Sequence, residues 1–296
     1  MAVRDERLDW QTDGLDWPHR EASRFVTADG LTWHVQVMGD GPILLLLHGT
    51  GASSHSFRDL MADLAQDFTL VVPDLPGHGF SDLPGYESLS LDGMARALAD
   101  LLTALDLAPD VAVGHSAGAA ILVRMALDGA IAPRGIVSLN GALTPFRGAP
   151  NFLFPAIAKA LFLNPLTPRL VARRASPRAV RRLIQDTGSA LDAAGVEYYT
   201  RLMRTPAHVA GALGMMANWR LQGLGRQLSA LAPPATFVAC ARDKAVPPAD
   251  GATLAGRVPA GRYLEVEGLG HLGHEEDPAR FAALIRAEAR AFRAPT

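Results

Sequence analysis

Five consecutive aliphatic residues, Ile43-Leu44-Leu45-Leu46-Leu47, follow Pro42 and stop at His48-Gly49-Thr50-Gly51. Successive side chains of a strand point to opposite faces, so a strand without a polar position must be covered on both. The run therefore predicts a central strand of a parallel sheet with helices on each side. Its surroundings agree. Arg24 to Ala28, a turn at Asp29-Gly30, and Leu31 to Met38 read as a hairpin ahead of it. Behind it, Ser56 to Gln66 reads as a helix and Phe68 to Val72 as a strand. Leu91, Met94, Ala95, Leu98, Leu101, Leu102 and Leu105 recur at helical spacing after Ser90, a suitable N-cap. Val111 to Val113, Ala117 to Leu127 and Ile136 to Leu139 then give strand, helix, strand. Such alternation defines an α/β sheet with right-handed crossovers.

Regularity breaks down from about Thr144 to Leu228, where helical patterns with Pro and Gly punctuation carry no convincing strand. Thr236 to Ala239 and Tyr263 to Val266 resume the strand pattern, and Asp277-Pro278 opens a last amphipathic helix reaching about Phe292. The reading is an α/β core of residues 24–143 and 229–296, a helical cap of residues 144–228 inserted between two sheet strands, and a leader of residues 1–23. The length, 296 residues, suits either two domains or one core with an insertion.

Composition narrows the function. With 28 Lys+Arg against 30 Asp+Glu and 49% hydrophobic residues, neither a disordered chain nor a nucleic-acid binder carried by bulk charge fits. The lone cysteine, Cys240, excludes an intramolecular disulfide, so a reducing, cytoplasmic setting is expected. The charged start, Arg4-Asp5-Glu6-Arg7, has no apolar run after it and does not read as a signal peptide, and no segment has the roughly 20 apolar residues of a bilayer span. Charge is uneven, however. Between Gly141 and Gln185 stand Arg147, Lys159, Arg169, Arg173, Arg174, Arg178, Arg181 and Arg182 with no Asp or Glu, beside the apolar stretch Phe152 to Leu163. That suggests contact with a large, flat anionic molecule such as a porphyrin carboxylate, or peripheral contact with an anionic membrane; a solvated arginine face is the plain alternative.

Gly114-His115-Ser116-Ala117-Gly118, between a strand and a helix, reads as a nucleophile elbow: small neighbours permit the sharp turn that lifts the Ser116 hydroxyl above the sheet. The loop His48-Gly49-Thr50-Gly51 can present the Thr50 N–H beside that of Ala117 as an oxyanion hole, with His48, Gly49, Gly51 and His115 lining the site. A serine nucleophile needs a base oriented by a carboxylate, and this architecture orders them Ser, acid, His. Asp243 and His271 each lie just beyond the carboxyl end of a strand, where open α/β sheets bind ligands. His274, His115 and His48 are rivals for the base, Asp250 and Asn140 for the acid. No HExxH, CxxC or phosphate-binding GxxxxGK[ST] is present, so neither a metal nor a cofactor is expected. Asp74 to Asp82 reads as a structural loop near the site mouth, and Cys240 as an inert strand residue.

His48-Gly49-Thr50-Gly51, Asp74 to Asp82, Gly114 to Gly118, Asp243 and Gly270-His271 together resemble the α/β-hydrolase superfamily over about residues 24–294. Serine at the elbow separates the chain from haloalkane dehalogenases and epoxide hydrolases, whose nucleophile is an aspartate. Further segments resemble the magnesium-chelatase accessory proteins of bacteriochlorophyll biosynthesis: Asp16 to Val26 with its Trp17-Pro18 pair, Gly49 to Ser53, Gly114 to Ala120 and Leu139 to Leu143. The resemblance implies a role in photosynthetic pigment synthesis near magnesium insertion into protoporphyrin, without implying a known hydrolysed substrate; the expected partners are a small ester-like or tetrapyrrole substrate and magnesium chelatase. Ala119 departs from the second glycine that often follows the elbow. Three readings follow from these residues: a serine hydrolase with Ser116, His271 and Asp243; a non-catalytic accessory or porphyrin-binding protein; and a generic carboxylesterase or C–C bond hydrolase.

Overall fold

A computed structural model describes residues 2–145, 164 and 166–294. Arg147, Lys159 and the stretch Phe152 to Leu163 lie outside the described residues. The eight strands are β1 (Ser23–Ala28), β2 (Leu31–Met38), β3 (Ile43–Leu47), β4 (Thr69–Pro73), β5 (Val111–His115), β6 (Gly135–Leu139), β7 (Ala235–Cys240) and β8 (Gly261–Val266). They form one sheet in the order β1-β2-β4-β3-β5-β6-β7-β8. β2 pairs antiparallel with β1 and β4, and every other pairing is parallel.

The aliphatic run is split by the pleat as its composition demands. Leu45 and Leu47 enter one core with α2 (Leu91–Ala104) and α3 (Ala117–Leu127). Leu44 and Leu46 enter the other with α1 (Arg58–Leu64) and the C-terminal helix (Pro278–Arg293). All four leucines are fully buried. At the predicted hairpin, Asp29 and Gly30 both have positive φ, 50° and 69°, the left-handed pair that a two-residue turn between twisted strands requires. Ser90 caps α2 by accepting from Gly93 N–H, and Asp277 caps the final helix through Arg280 N–H.

Several element ends shift by one or two residues from the sequence expectation, and two of these shifts bear on the site. β5 runs on through Gly114 and His115, because both still pair with β6, at Ser138 and Leu139. The helix expected from Ser56 begins as a 3-10 turn, Ser54–Phe57, where the Asp74 carboxylate takes the Ser54 N–H.

Between β6 and β7 the described residues form α4 (Leu166–Arg174), α5 (Pro177–Asp186), α6 (Ala193–Met203), α7 (Pro206–Asn218) and the short α8 (Leu224–Gln227), with no strand. α9 (Pro248–Ala255), α10 (Gly273–Glu276) and α11 (Pro278–Arg293) complete the chain. Parallel register aligns the carboxyl ends of the central strands: Leu47 lies opposite Gly114, His115 opposite Leu139, and Cys240 opposite Val266. Every loop that carries a predicted site residue therefore leaves the same edge of the sheet.

The leader is packed rather than trailing. Trp17 and Leu8 are buried with Phe80 and with Leu202 of α6, and Trp17 meets the Phe80 and Tyr198 rings edge-on at 4.9 and 5.6 Å. Ion pairs from Glu6 to Arg169 and from Asp16 to Arg201, both 2.6 Å, tie it to α4 and α6. Trp17→Ala removes a buried indole and should lower unfolding free energy by about 3–5 kcal/mol in urea titrations. Leu15→Ala, at a site 68% exposed, should stay within about 0.5 kcal/mol. Equal effects at the two positions would refute the packing role.

Candidate active site

Ser116 sits where β5 gives way to α3, with φ 52° and ψ −116°, a conformation that L-residues rarely hold. The surrounding chain enforces it. A Cβ on Gly118 would stand 2.4 Å from the Leu47 carbonyl oxygen, and one on Gly114 would stand 2.5 Å from the Ala119 nitrogen. Only glycine lets α3 start this close to the strand ends. Ser116 N–H donates to Leu139 O at 2.9 Å and Ser116 O accepts from Ala142 N–H at 3.0 Å, pinning the strained residue to the end of β6. Ala119 fits without strain, as it packs toward Gly141, where a Cβ would be 3.0 Å from its own.

Asp243 and His271 meet: His271 Nδ1 donates to Asp243 Oδ2 at 2.7 Å, with the carboxylate fully buried. The same oxygen accepts from Asn140 Nδ2 at 2.6 Å, while Oδ1 accepts the Ala245 and Val246 N–H groups at 2.7 and 2.9 Å. Four donors hold this carboxylate, and its two rivals make different contacts. Asn140, in the left-handed region at φ 49°, is a donor that fixes Asp243, and Asp250 is bound instead by the Thr144 hydroxyl at 2.6 Å. The Ser116 hydroxyl makes no hydrogen bond to His271 in this arrangement.

Of the rival histidines, His48 and His115 bond backbone groups and His274 a hydroxyl. His48 Nε2 accepts the Leu75 N–H at 2.9 Å, so its proton is on Nδ1, which donates to Gly49 O at 2.8 Å. His115 Nε2 lies 2.9 Å from the His271 carbonyl, so the residue before Ser116 holds the backbone of His271. His274 Nε2 bonds the Ser56 hydroxyl at 2.8 Å, and its ring stacks 4.4 Å from that of His115. Burial lowers all three, His115 well below the usual imidazole range and His274 to about 3.

Gly49 passes close against Ser116: a Cβ on Gly49 would lie 2.9 Å from Ser116 Cβ. Ala117 is the first residue of α3, and its N–H has no acceptor within the helix. Among the described residues no three His, Cys, Asp or Glu side chains converge to hold a metal ion. The Asp74 loop is structural: its buried carboxylate accepts from Ser54 N–H, Phe80 N–H and His34 Nδ1 at 2.6, 2.9 and 2.8 Å. Burial pushes the Asp74 carboxyl up, but His34 and these donors outweigh it and hold it well below the usual range. Cys240 is buried at the end of β7, its thiol pushed up to about 12 by burial.

Several contributors carry no motif. Thr187 O accepts the Lys244 N–H at 3.0 Å and Ser189 Oγ accepts the Leu272 N–H at 2.8 Å, so the turn between α5 and α6 is wedged between the loops bearing Asp243 and His271. Glu275, after His271, is buried against Arg58 (2.7 Å), Tyr199 (2.7 Å) and Ser56 (2.9 Å); burial raises its pKa, and Arg58 opposes that. These contacts join residues far apart in the chain, and only chemistry on the loops themselves gave a sequence signal.

Residues 44–284 match the alpha/beta hydrolase family, and the chain belongs to that family. Within it, the chain is 42% identical over 263 residues to the "Magnesium-chelatase 30 kDa subunit" of Rhodobacter capsulatus, covering 88% of this chain and 92% of that one. It is 31% identical to the "Pimeloyl-[acyl-carrier protein] methyl ester esterase" of Xanthomonas campestris, over 85% and 99% of the two chains. An alpha/beta hydrolase fold protein from Burkholderia ambifaria shares the fold at a TM-score of 0.74 and 23% identity, over 89% and 97%.

Buried neutral histidines make stability acid-sensitive. Burial lowers His55, His78 and His115 well below the usual value, His208 to about 4 and His274 to about 3. The unfolded chain binds these protons near pH 6.5 and the folded one does not, so stability falls as pH drops from about 6.5 toward the folded values. Each imidazole contributes a slope of roughly 1 kcal/mol per pH unit. Urea midpoints should therefore decline steadily from pH 7 to 5, above the carboxylate range; a flat profile would contradict the neutral assignment.

Proposed function

We propose that this chain is a serine hydrolase acting on an ester-like substrate, with Ser116 as nucleophile, His271 as base and Asp243 as its orienting acid. The observation that carries the reading is the 2.7 Å bond from His271 Nδ1 to a buried carboxylate. Holding the proton on Nδ1 leaves Nε2 as the basic nitrogen. In the reaction Ser116 Oγ attacks the carbonyl carbon while its proton passes to His271. The oxyanion gathers donors from the Thr50 and Ala117 N–H groups, aided by the N-terminal end of α3. Collapse of the intermediate expels the alcohol, protonated by His271, and water then releases the acid by the same steps in reverse order. Residues 144–228 act as the cap over this site, residues 24–143 and 229–296 as the hydrolase core, and residues 1–23 as an N-terminal leader.

Similarity to the magnesium-chelatase 30 kDa subunit supports a place in bacteriochlorophyll biosynthesis near magnesium chelation, and a tetrapyrrole ester as substrate. The same similarity favours a second reading, an accessory that binds porphyrin or magnesium chelatase without turnover. The chain carries a surface suited to such contacts. Arg173, Arg174, Arg178, Arg181 and Arg182 are exposed on α4 and α5 beside Leu166, Leu170 and Leu183, which are 65%, 49% and 54% exposed. The proposed setting is cytoplasmic, with this face as the point of any peripheral membrane contact; no helix among the described residues is long and apolar enough to cross a membrane.

Fluorophosphonate labelling read by intact mass, with p-nitrophenyl ester turnover, separates the two readings. Ser116→Ala should abolish labelling and lower turnover by about 10⁶-fold, and Asp243→Asn by about 10⁴-fold. A folded wild type that neither labels nor turns over would favour the accessory reading. Reversing Arg173, Arg174, Arg178 and Arg182 to Glu should weaken binding of a porphyrin carboxylate at least about tenfold while leaving ester turnover intact. Unchanged binding would mark the arginines as a solvated face.

A further inference from the structure

The loop after β3 is held by two imidazoles that work alike. His48 accepts a backbone N–H from Leu75 and donates to the carbonyl of Gly49. His208, on α7, accepts the Gly79 N–H on Nδ1 at 3.1 Å, so its proton is on Nε2, which lies 3.1 Å from the Gly51 carbonyl. Each ring thus bridges the Asp74 to Asp82 loop and the loop of Gly49 to Gly51, and His208 does so from the segment between β6 and β7. Burial keeps His208 neutral by lowering it to about 4, the form that has one donor and one acceptor.

In a trans peptide the carbonyl and the following N–H point in opposite directions. Holding the Gly49 carbonyl, as His48 does, therefore fixes the peptide plane that carries the Thr50 N–H; His208 holds the plane of the Gly51–Ala52 peptide, whose Ala52 N–H donates back to the Gly49 carbonyl at 3.2 Å, so the two rings fix the two ends of one turn around Thr50. The rest of the α7 face reinforces the hold. Met215, two turns on from His208, receives the Thr50 hydroxyl at Sδ, 3.3 Å away. Between them, a Cβ on Gly211 would lie 2.0 Å from the Gly77 carbonyl oxygen, so helix and loop meet backbone to backbone.

We propose that His208 is a positioning residue for the oxyanion loop, making catalytic competence depend on how α7 is seated. The proposal rests on the reading of Ser116 as nucleophile with Thr50 as an oxyanion donor. His208→Gln carries an amide nitrogen near the ε position and can still reach Gly51 O, whereas His208→Asn reaches only the δ position and His208→Leu neither. For p-nitrophenyl ester turnover and the rate of fluorophosphonate labelling, the Leu and Asn variants should lose about 10- to 100-fold in kcat with KM changed less than about twofold. The Gln variant should recover most of the loss. Hydrogen exchange across residues 49–52 should quicken in Leu and Asn but not in Gln. Because Asn retains the Gly79 contact, it serves as the test if Leu does not fold. Wild-type kcat in the Asn variant, or equal losses in Asn and Gln, would overturn the proposal. If the wild type itself neither labels nor turns over, the nucleophile reading fails, and loop exchange alone decides: quickened exchange in Asn but not Gln supports the clamp, and unchanged exchange refutes it.

Discussion

The contact between the first turn of α3 and the carboxyl end of β3 leaves no space for a side chain at Gly118, and much of the site follows from it. It draws the helix N-terminus to the sheet edge, holds Ser116 in its positive-φ turn, and sets Gly49 against Ser116. Local strain of order 1–3 kcal/mol is maintained there by the surrounding pairings of β5 and β6, which leave the elbow no alternative path. Backbone packing in the residues flanking Ser116 thus determines where its hydroxyl stands.

Three histidines, His34, His48 and His208, act as rigid two-sided connectors, each bonded through both ring nitrogens. Eight of the nine histidines are buried, and most bond backbone or hydroxyl groups through ring nitrogens. A neutral imidazole offers one donor and one acceptor a fixed distance apart, which suits it to joining two loops without burying a charge. His34 and His271 both bond a buried carboxylate through Nδ1, but His34 also bonds the Ser23 hydroxyl through Nε2, whereas His271 lies beside the elbow at the loop edge of the sheet.

Periodicity was enough to read the sheet, since Ile43 to Leu47 and Val111 to Val113 can only be covered strands, and β3 and α3 begin and end where the pattern places them. The elbow, Asp243 and His271 were legible because each follows a strand end. What stayed hidden depends on distant contacts. Asn140 passed for a rival acid, as nothing in the sequence shows that its amide points at Asp243. His208 and Gly211 lie in a helical pattern that gives no hint of the loops they touch, and the leader looked polar although Trp17 is 2% exposed.

Chain order gives the wedged turn between α5 and α6 a consequence in time. Residues 187–189 are synthesised before either of the loops they separate, and Ser116 well before all of them. The residues of the Ser116 turn and of β6 precede Asp243 and His271 in the chain, which follow only after β7 and β8. A chain cut before β7 would keep the serine and lack both partners, so the arrangement at this edge depends wholly on contacts of high sequence separation, the kind that make folding slow.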